Sequence, residues 1–425
     1  MDRLLQIFTI PDLRKKVLIV VGLLVAFRLL AAVPIPGVDA TRLKDFFDRN
    51  ALFGFLNLFS GGGLQRLSVA MLGVGPYITA TIIMQLLTII FPKFKQMYYE
   101  EGARGQAKFN QYSRIISVPL AILQAYSFLM LLVAQKVIDK PDFFHLLVNV
   151  AAITTGSMLT LWLGELISEQ KIGNGISLII MAGIVSRLPS DAMQAIATYS
   201  PTEPAHLPTY IGFAVALIAV IAGVVYLNEG ERKVPIAYAR RVRGNKMYGG
   251  ASSYLPLKVN QAGMIPLIFA ISVLLFPQFL AQLTVIVSPG LAQTLNDWVL
   301  RFLNNRLYYG VFYFILVFVF TYFYTAITFN PEEVAKNLQR SGGFVPGIRP
   351  GEGTAEFFSN IVNRVTLFGA FFLGLIAVLP LIVQQLTGIS VLTISGTALL
   401  IVVAVALETM RQVNSQLTVR EYDEL

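Results

Sequence analysis

The chain has 425 residues, of which 55% are hydrophobic and only 13% charged, against roughly 25% charged in soluble domains, so its solvent is a lipid bilayer. It has no cysteine and two histidines, His145 and His206, which excludes disulfides, thiol catalysis and thiolate metal sites and leaves little for imidazole chemistry. The net charge of +9 must sit mostly outside the apolar runs, where it sets orientation.

Those runs, of about 17 to 22 residues each, begin near Val17, Gly73, Ile115, Leu146, Ile172, Tyr210, Ala262, Tyr308, Val365 and Ile389. Ten spans fill the chain. The first follows Arg14, Lys15 and Lys16 but contains Arg28 and leads into Val33-Pro34-Ile35-Pro36, a poor context for cleavage of a leader. Arg28 has the structural task of snorkelling or pairing with a neighbouring helix.

The second run is interrupted. FSGGGLQRLSVAMLGVGPYITATIIMQLL, from Phe59 to Leu87, opens on three glycines, carries Arg66 and breaks again at Gly73, Gly75 and Pro76. Leu64 to Met71 would rise about 12 Å as a helix, too little for roughly 30 Å of hydrocarbon. A half-helix followed by a full helix from Gly73 to Phe91 is expected, with the half-helix inside the protein, because lipid offers nothing to unpaired backbone.

Most of the Lys and Arg residues fall in the termini and the even-numbered connections, which puts both termini on the cytoplasmic side. A polar linker, residues 189–208, divides the spans five and five, giving halves 1–188 and 209–425. An odd repeat unit starts its second copy from the opposite face, so the halves would be inverted. Span seven matches the broken span two with Gly263, Pro266 and Pro277, and spans five and ten open near Gly173-Asn174-Gly175 and Gly388. Breaks at matching positions point to a central pathway, although Gly and Pro are also common in membrane helices generally.

Charges within or bordering the spans are few: Arg28, Glu165 and Glu408. None supplies the midplane ionisable group of an ion-coupled transporter. Nucleotide-hydrolysis, zinc-protease and serine-hydrolase motifs are missing, so no enzyme activity and no cofactor are expected, and transport energy must come from a partner or the membrane potential.

Two long connections, residues 228–259 and 330–364, project to the cytoplasmic side, and neither has the apolar content for a core of its own. The first carries Arg232, Lys233, Arg240, Arg241, Arg243, Lys246 and Lys258 with interleaved tyrosines. It suits an anionic partner such as structured RNA or an acidic protein, or else merely enforces topology and touches anionic headgroups. The second ends in GGFVPGIRPGEGTAEFF, a Gly- and Pro-shaped tip around Arg349.

The stretch from Phe59 to Leu87, the run WLGELISEQKIGNGISLII, the segment LPLKVNQAGMIPLIFA and the loop FNPEEVAKNLQRSGGFVPGIRPGEGTAEFF together resemble the SecY family, the central subunits of the bacterial protein-conducting channel. The resemblance runs over essentially the whole chain. It implies an all-α polytopic membrane protein whose ten transmembrane helices form two inverted five-helix halves, a clamshell around an hourglass pore in the bacterial cytoplasmic (inner) membrane. It implies a plug at about 59–72, including Ser60, Gly61, Gly62, Gly63, Leu64, Arg66 and Leu67. A pore ring of aliphatic side chains would comprise Val74, Ile78, Ile176, Ile180, Ile268 and Ile401, with Val74 standing where isoleucine is frequent. Outside such a resemblance, isoleucines in membrane helices mostly face lipid or the core. A lateral gate would include Thr79, Gln85 and Phe276. Because a lipid-facing Gln85 is costly, it is expected to bond across to another helix, either as a bond broken on gating or as a static one.

The implied function is translocation of unfolded secretory polypeptides and release of hydrophobic segments, including signal-sequence helices, sideways into membrane lipids. The implied partners are SecE and SecG, the motor ATPase SecA and the ribosome with its rRNA, docking at Arg240, Arg241, Arg243, Lys246 and Arg349. The chain has Asn245-Lys246 where two adjacent basic residues are more usual. The competing class is an inverted-repeat secondary transporter of small solutes, which needs a midplane charge and a polar cavity; an intramembrane enzyme would need a nucleophile, base or metal cluster.

Overall fold

The computed structural model describes residues 10–35, 63–64, 67–99, 101–134, 137–139, 141–190, 193, 207–238, 241–243, 246–248, 252–263, 265–284, 290, 294–295, 298–299, 301–302, 305–387 and 391–423. Helices dominate: α1 (Pro11–Leu30), α2 (Gly75–Ile90), α3 (Pro92–Tyr99), α4 (Gly102–Ala134), α5 (Phe143–Glu169), α6 (Gly175–Val185) and α7 (Leu207–Glu229). Four strands follow, β1 (Glu231–Tyr238), β2 (Arg241–Arg243), β3 (Lys246–Tyr248) and β4 (Ser252–Lys258). The chain continues through α8 (Ile265–Leu283), α9 (Arg306–Thr328), α10 (Pro331–Arg340), β5 (Gly343–Phe344), α11 (Glu352–Thr387) and α12 (Val391–Asp423).

A helix lies over each expected apolar run. Among the described residues four stretches are long and apolar enough to cross a membrane, Gly102–Val133, Phe143–Glu169, Leu307–Arg340 and Glu352–Leu379, and α2 with α3 makes a fifth if that bent pair counts as one span. Their lipid-facing sides show in exposed Ile115, Ile122, Trp162, Val311, Val319 and Phe371, tolerable only where the surroundings are apolar.

The chain divides into two compact units. The first comprises Met1–Leu207, Ile271–Tyr309 and Thr387–Leu425. Within it α2 packs on α3 and α4, α4 on α5, α5 on α1 and α6, and α6 on α12. Close crossings depend on glycine. A β-carbon on Gly175 would stand 1.8 Å from the Gly164 carbonyl oxygen, and the amide of Gly175 donates to Ser168 Oγ at 2.8 Å. The turn between α5 and α6 holds Lys171 at φ 57°, and Gln416 Nε2 on α12 donates to its carbonyl. Asn174 caps α6, its side-chain oxygen accepting from the amides of Ile176 and Ser177, as expected of an N-cap asparagine.

The second unit comprises Pro208–Ala270 and Gly310–Leu386, and it corrects one expectation. Neither polar connection can bury a core alone, but the two share one. β1 pairs antiparallel with β4 and with β5, giving a sheet in the order β4-β1-β5, while β2 and β3 form a separate hairpin ribbon. The alternation of β1 turns Val234 and Ile236 inward, as a half-buried strand requires. They meet Leu257 of β4, Leu338 of α10, and Val345, Phe358 and Val362 from the β5–α11 segment. Composition read connection by connection misses a core assembled from both. The base of the sheet is fixed by Asn260, whose Nδ2 donates to Asn228 Oδ1 at 2.9 Å and to the Gly263 carbonyl at 3.0 Å.

Candidate functional site

The interrupted segment before α2 is folded into the first unit. Residues 69–74 form turns, not the expected half-helix, because Leu67 at φ 40° and Gly73 at φ 51° take backbone conformations that an α-helix excludes. The backbone is paired instead with the strand-like stretch after α1. Pro34 and Ser68 form an antiparallel bridge, the Ile35 amide donates to the Leu67 carbonyl at 2.8 Å, and the Val69 amide donates to the Val33 carbonyl at 2.9 Å. Leu64, Leu67 and Met71 are buried against Ala125, Phe128, Leu129 and Leu132 of α4 and Ile153 of α5. Gly63 is buried with them; Ser60, Gly61, Gly62 and Arg66 lie outside the described residues.

The backbone of the segment also rests on α5. The Ser157 hydroxyl donates to the Gly73 carbonyl at 2.8 Å. A β-carbon on Gly156 would lie 2.1 Å from the Val69 carbonyl oxygen, so only glycine permits this approach. Nothing in the sequence alone singled out these two residues beyond their being small residues in an apolar run.

Five of the six ring candidates belong to the first unit. Val74 caps α2 and is 1% exposed; Ile78 follows one turn later; Ile180 on α6 and Ile401 on α12 are also buried. Ile176 is half-buried, its Cγ1 3.4 Å from where a β-carbon on Gly164 would stand. Ile268, buried on α8, belongs to the second unit.

Two gate candidates lie on α2. The Thr79 hydroxyl donates to the Gly75 carbonyl of its own helix at 3.1 Å. Gln85 is buried, and its side-chain oxygen has no hydrogen-bond partner among the described residues. Among the described residues no cross-helix bond reaches that oxygen, and an unmet buried acceptor is costly. Phe276 lies within α8, its side chain outside the described residues.

In the second unit the tip before α11 is built on a capped helix. Asn330 Oδ1 accepts from the amides of Glu332 and Glu333, Gly342 at φ 73° ends α10, and Gly347 at φ 83° and Gly351 at φ 98° turn the tip. The buried Thr354 donates its hydroxyl to the Arg349 carbonyl at 2.9 Å, while Arg349 itself is exposed. Beside it, between α10 and the start of α11, lies a cleft of about 710 Å³ whose lining includes Glu332, Lys336, Gln339, Glu352 and Glu356. Arg241 and Arg243 occupy β2 and Lys246 occupies β3, with their side chains outside the described residues, as is Arg240.

A mostly helical membrane protein with a buried aliphatic cluster and an inserted, non-helical segment is the class this geometry defines. A model of the SecY family matches residues 68–410. The protein translocase subunit SecY of Corynebacterium glutamicum is 41% identical over 451 residues, covering 100% of both chains. Two solved structures are similar in fold. One, of a SecY protein whose plug domain is described as stabilising the closed state of the translocation channel and maintaining a membrane seal, has a TM-score of 0.62 at 18% identity, covering 93% of this chain and 90% of the other. The second, Sec61 in the canine ribosome-channel complex from the endoplasmic reticulum, has a TM-score of 0.62 at 17% identity, covering 93% and 91%. The chain belongs to the SecY family.

Proposed function

We propose that the chain is the protein-conducting channel of a bacterial translocase, passing unfolded secretory polypeptides across the cytoplasmic membrane and releasing hydrophobic segments sideways into lipid. The observation that carries this is the burial of Val74, Ile78, Ile180 and Ile401, each on a helix of the first unit, together with the non-helical segment that leads directly into α2 and packs through Leu64, Leu67 and Met71. Branched aliphatic side chains offer an extended chain no hydrogen bonds to stick to, and they impose a large desolvation cost on a stripped ion. The small-solute transporter is the weaker reading, since it requires a midplane charge that the apolar runs do not supply. We assign no catalytic step and no cofactor.

In this reading ten spans form two inverted five-helix halves, 1–188 and 209–425, hinged at 189–208 around an hourglass pore, with both termini cytoplasmic. Ile176 and Ile268 complete the ring, residues 59–72 are the plug, and Thr79, Gln85 and Phe276 line the lateral gate. The sheet of the second unit, the basic residues Arg240, Arg241, Arg243 and Lys246, and the Arg349 tip with its cleft receive the ribosome and a SecA motor. The similarity to Sec61 as seen in a ribosome-channel complex supports the former. SecE and SecG brace the clamshell.

A photo-crosslinking residue at Ile78, in reconstituted membranes presented with a stalled secretory precursor, SecA and ATP, tests the pore. Crosslinks to the mature part of the precursor, lost without ATP or without the signal sequence, are expected. Labelling of lipid or neighbouring helices alone while translocation proceeds would overturn the ring assignment.

A further inference from the structure

We infer that Gly156 and Ser157 of α5 are the seat that holds the plug segment closed, and that they set how readily the resting channel opens. The inference rests on the reading of this segment as the plug and names what regulates it.

Three kinds of contact hold the described residues of the segment, 63–64 and 67–74. The apolar contacts of Leu64, Leu67 and Met71 with α4 are non-directional and survive small shifts. The two backbone bonds to Val33 and Ile35 join the segment to the stretch of chain that follows α1, not to a membrane helix. Contact with α5 is different in kind. The Gly73 carbonyl lies at the junction of segment and helix α2, where a left-handed glycine leaves the carbonyl outside regular helical pairing. Ser157, 1% exposed, donates to it at 2.8 Å, and loss of a buried donor leaves the carbonyl unmet. One residue earlier, the missing side chain of Gly156 admits the Val69 carbonyl to a position that a methyl group would occupy at 2.1 Å. A directional bond and a steric fit on consecutive residues therefore fix where the segment lies against a membrane helix.

The same face of α5 serves the ring. Gly164 lies seven residues after Ser157, close to two full turns, and so on one stripe of the helix. There it receives Gly175 and the Ile176 side chain. Thus α5 meets the plug segment at Ser157 and the ring-bearing α6 at Gly164. Gly156 and Ser157 are positioning residues: they touch the plug, not the translocating chain.

The chain contains no cysteine, so Ser68→Cys, a near-isosteric change at a buried position, creates a single thiol in the segment. Complexes carrying it would be reconstituted with the wild-type seat, Gly156→Ala or Ser157→Ala, and labelled with a membrane-impermeant maleimide. Translocation of a normal precursor and of one with a defective signal sequence would be followed in parallel. In the resting channel, Ser157→Ala is expected to raise labelling about three- to tenfold, the range for one buried hydrogen bond, and Gly156→Ala more. Both should pass the signal-defective precursor while the normal one still moves. Labelling and signal dependence unchanged from wild type would overturn the seat and leave the plug reading intact. Loss of normal translocation in both variants would overturn it too, because a resting-state latch is not needed once the channel is open. If the wild-type thiol labels equally with and without an engaged precursor, the segment does not move and the plug reading itself falls.

Discussion

Gly175 at the start of α6 lies so close to Gly164 of α5 that a β-carbon on it would stand 1.8 Å from the Gly164 carbonyl oxygen. The clash is with backbone, which cannot swing aside, and α6 carries Ile176 and Ile180. Gly175→Ala should therefore displace α6, costing about 1–3 kcal/mol or more as overpacking does, and reduce translocation more than tenfold. Gly164→Ala is the matched control. Its β-carbon would stand 3.3 and 3.4 Å from side-chain atoms of Ile179 and Ile176 and 3.6 Å, ordinary contact distance, from the Ile176 backbone nitrogen, so it should be mild. Thermal unfolding of the two variants in detergent, alongside precursor transport, checks the order.

Arg114 on α4 and Glu165 on α5 form an ion pair between two of the membrane-spanning helices. Arg114 directly precedes its apolar run and Glu165 lies near the end of its own, so the partly exposed side chains, at 51% and 25%, sit toward the polar boundary, where such pairs contribute little, about 0.2–1 kcal/mol. Glu165→Gln is therefore expected to lower stability only slightly and to leave translocation nearly unchanged. Arg114→Glu should cost more by placing like charges together, and the double exchange Arg114→Glu with Glu165→Arg should recover most of the loss. A double-mutant cycle on thermal stability measures this. Failure of the exchange to recover would mean that Glu165 has a role beyond pairing.

What was legible in the sequence followed from the solvent. A bilayer demands long apolar runs and forbids free backbone, so the helices and the break before α2 could be placed from hydropathy, Gly and Pro. The fold of the break could not: Leu67 at positive φ is an unusual choice for a leucine, and it is held where Ile35 donates to its carbonyl and Val33 accepts from the amide of Val69. That pairing joins residues some thirty positions apart, beyond any local pattern. The shared core of Val234, Leu257, Leu338 and Phe358 escaped for the same reason. The Ser157 to Gly73 bond, between residues 84 apart, leaves no mark in sequence beyond a small polar residue in an apolar helix.

Phe358 is fully buried in that shared core, between the sheet and α10. Phe358→Ala should cost about 3–5 kcal/mol, a large loss for so small a core, and should loosen β1 and β4 together because each contributes to the same cluster. Hydrogen exchange is expected to rise in residues 231–238 and 252–258 while α4 and α5 keep their protection. Uniform loss of protection throughout the chain would show instead that the sheet does not behave as a separate cooperative unit.

Arg349 and Thr354 separate shape from charge at the tip. The Thr354 hydroxyl fixes the Arg349 carbonyl at 2.9 Å, and the arginine side chain projects into solvent. Arg349→Glu leaves every described contact of the tip in place, so it should keep thermal stability within about 0.5 kcal/mol, as surface changes do. Thr354→Val removes the donor but keeps the volume, and should lower stability by about 1 kcal/mol and let the tip wander. If the tip docks an anionic surface, binding of ribosomes or of SecA to reconstituted channels falls more than tenfold for Arg349→Glu, while Thr354→Val gives a smaller loss that added magnesium or salt hardly changes. The charge reversal, in contrast, should make the residual binding markedly less sensitive to salt, since an attractive contact that ions would screen has been removed. Equal losses in both variants would assign the tip's role to its shape rather than to the guanidinium.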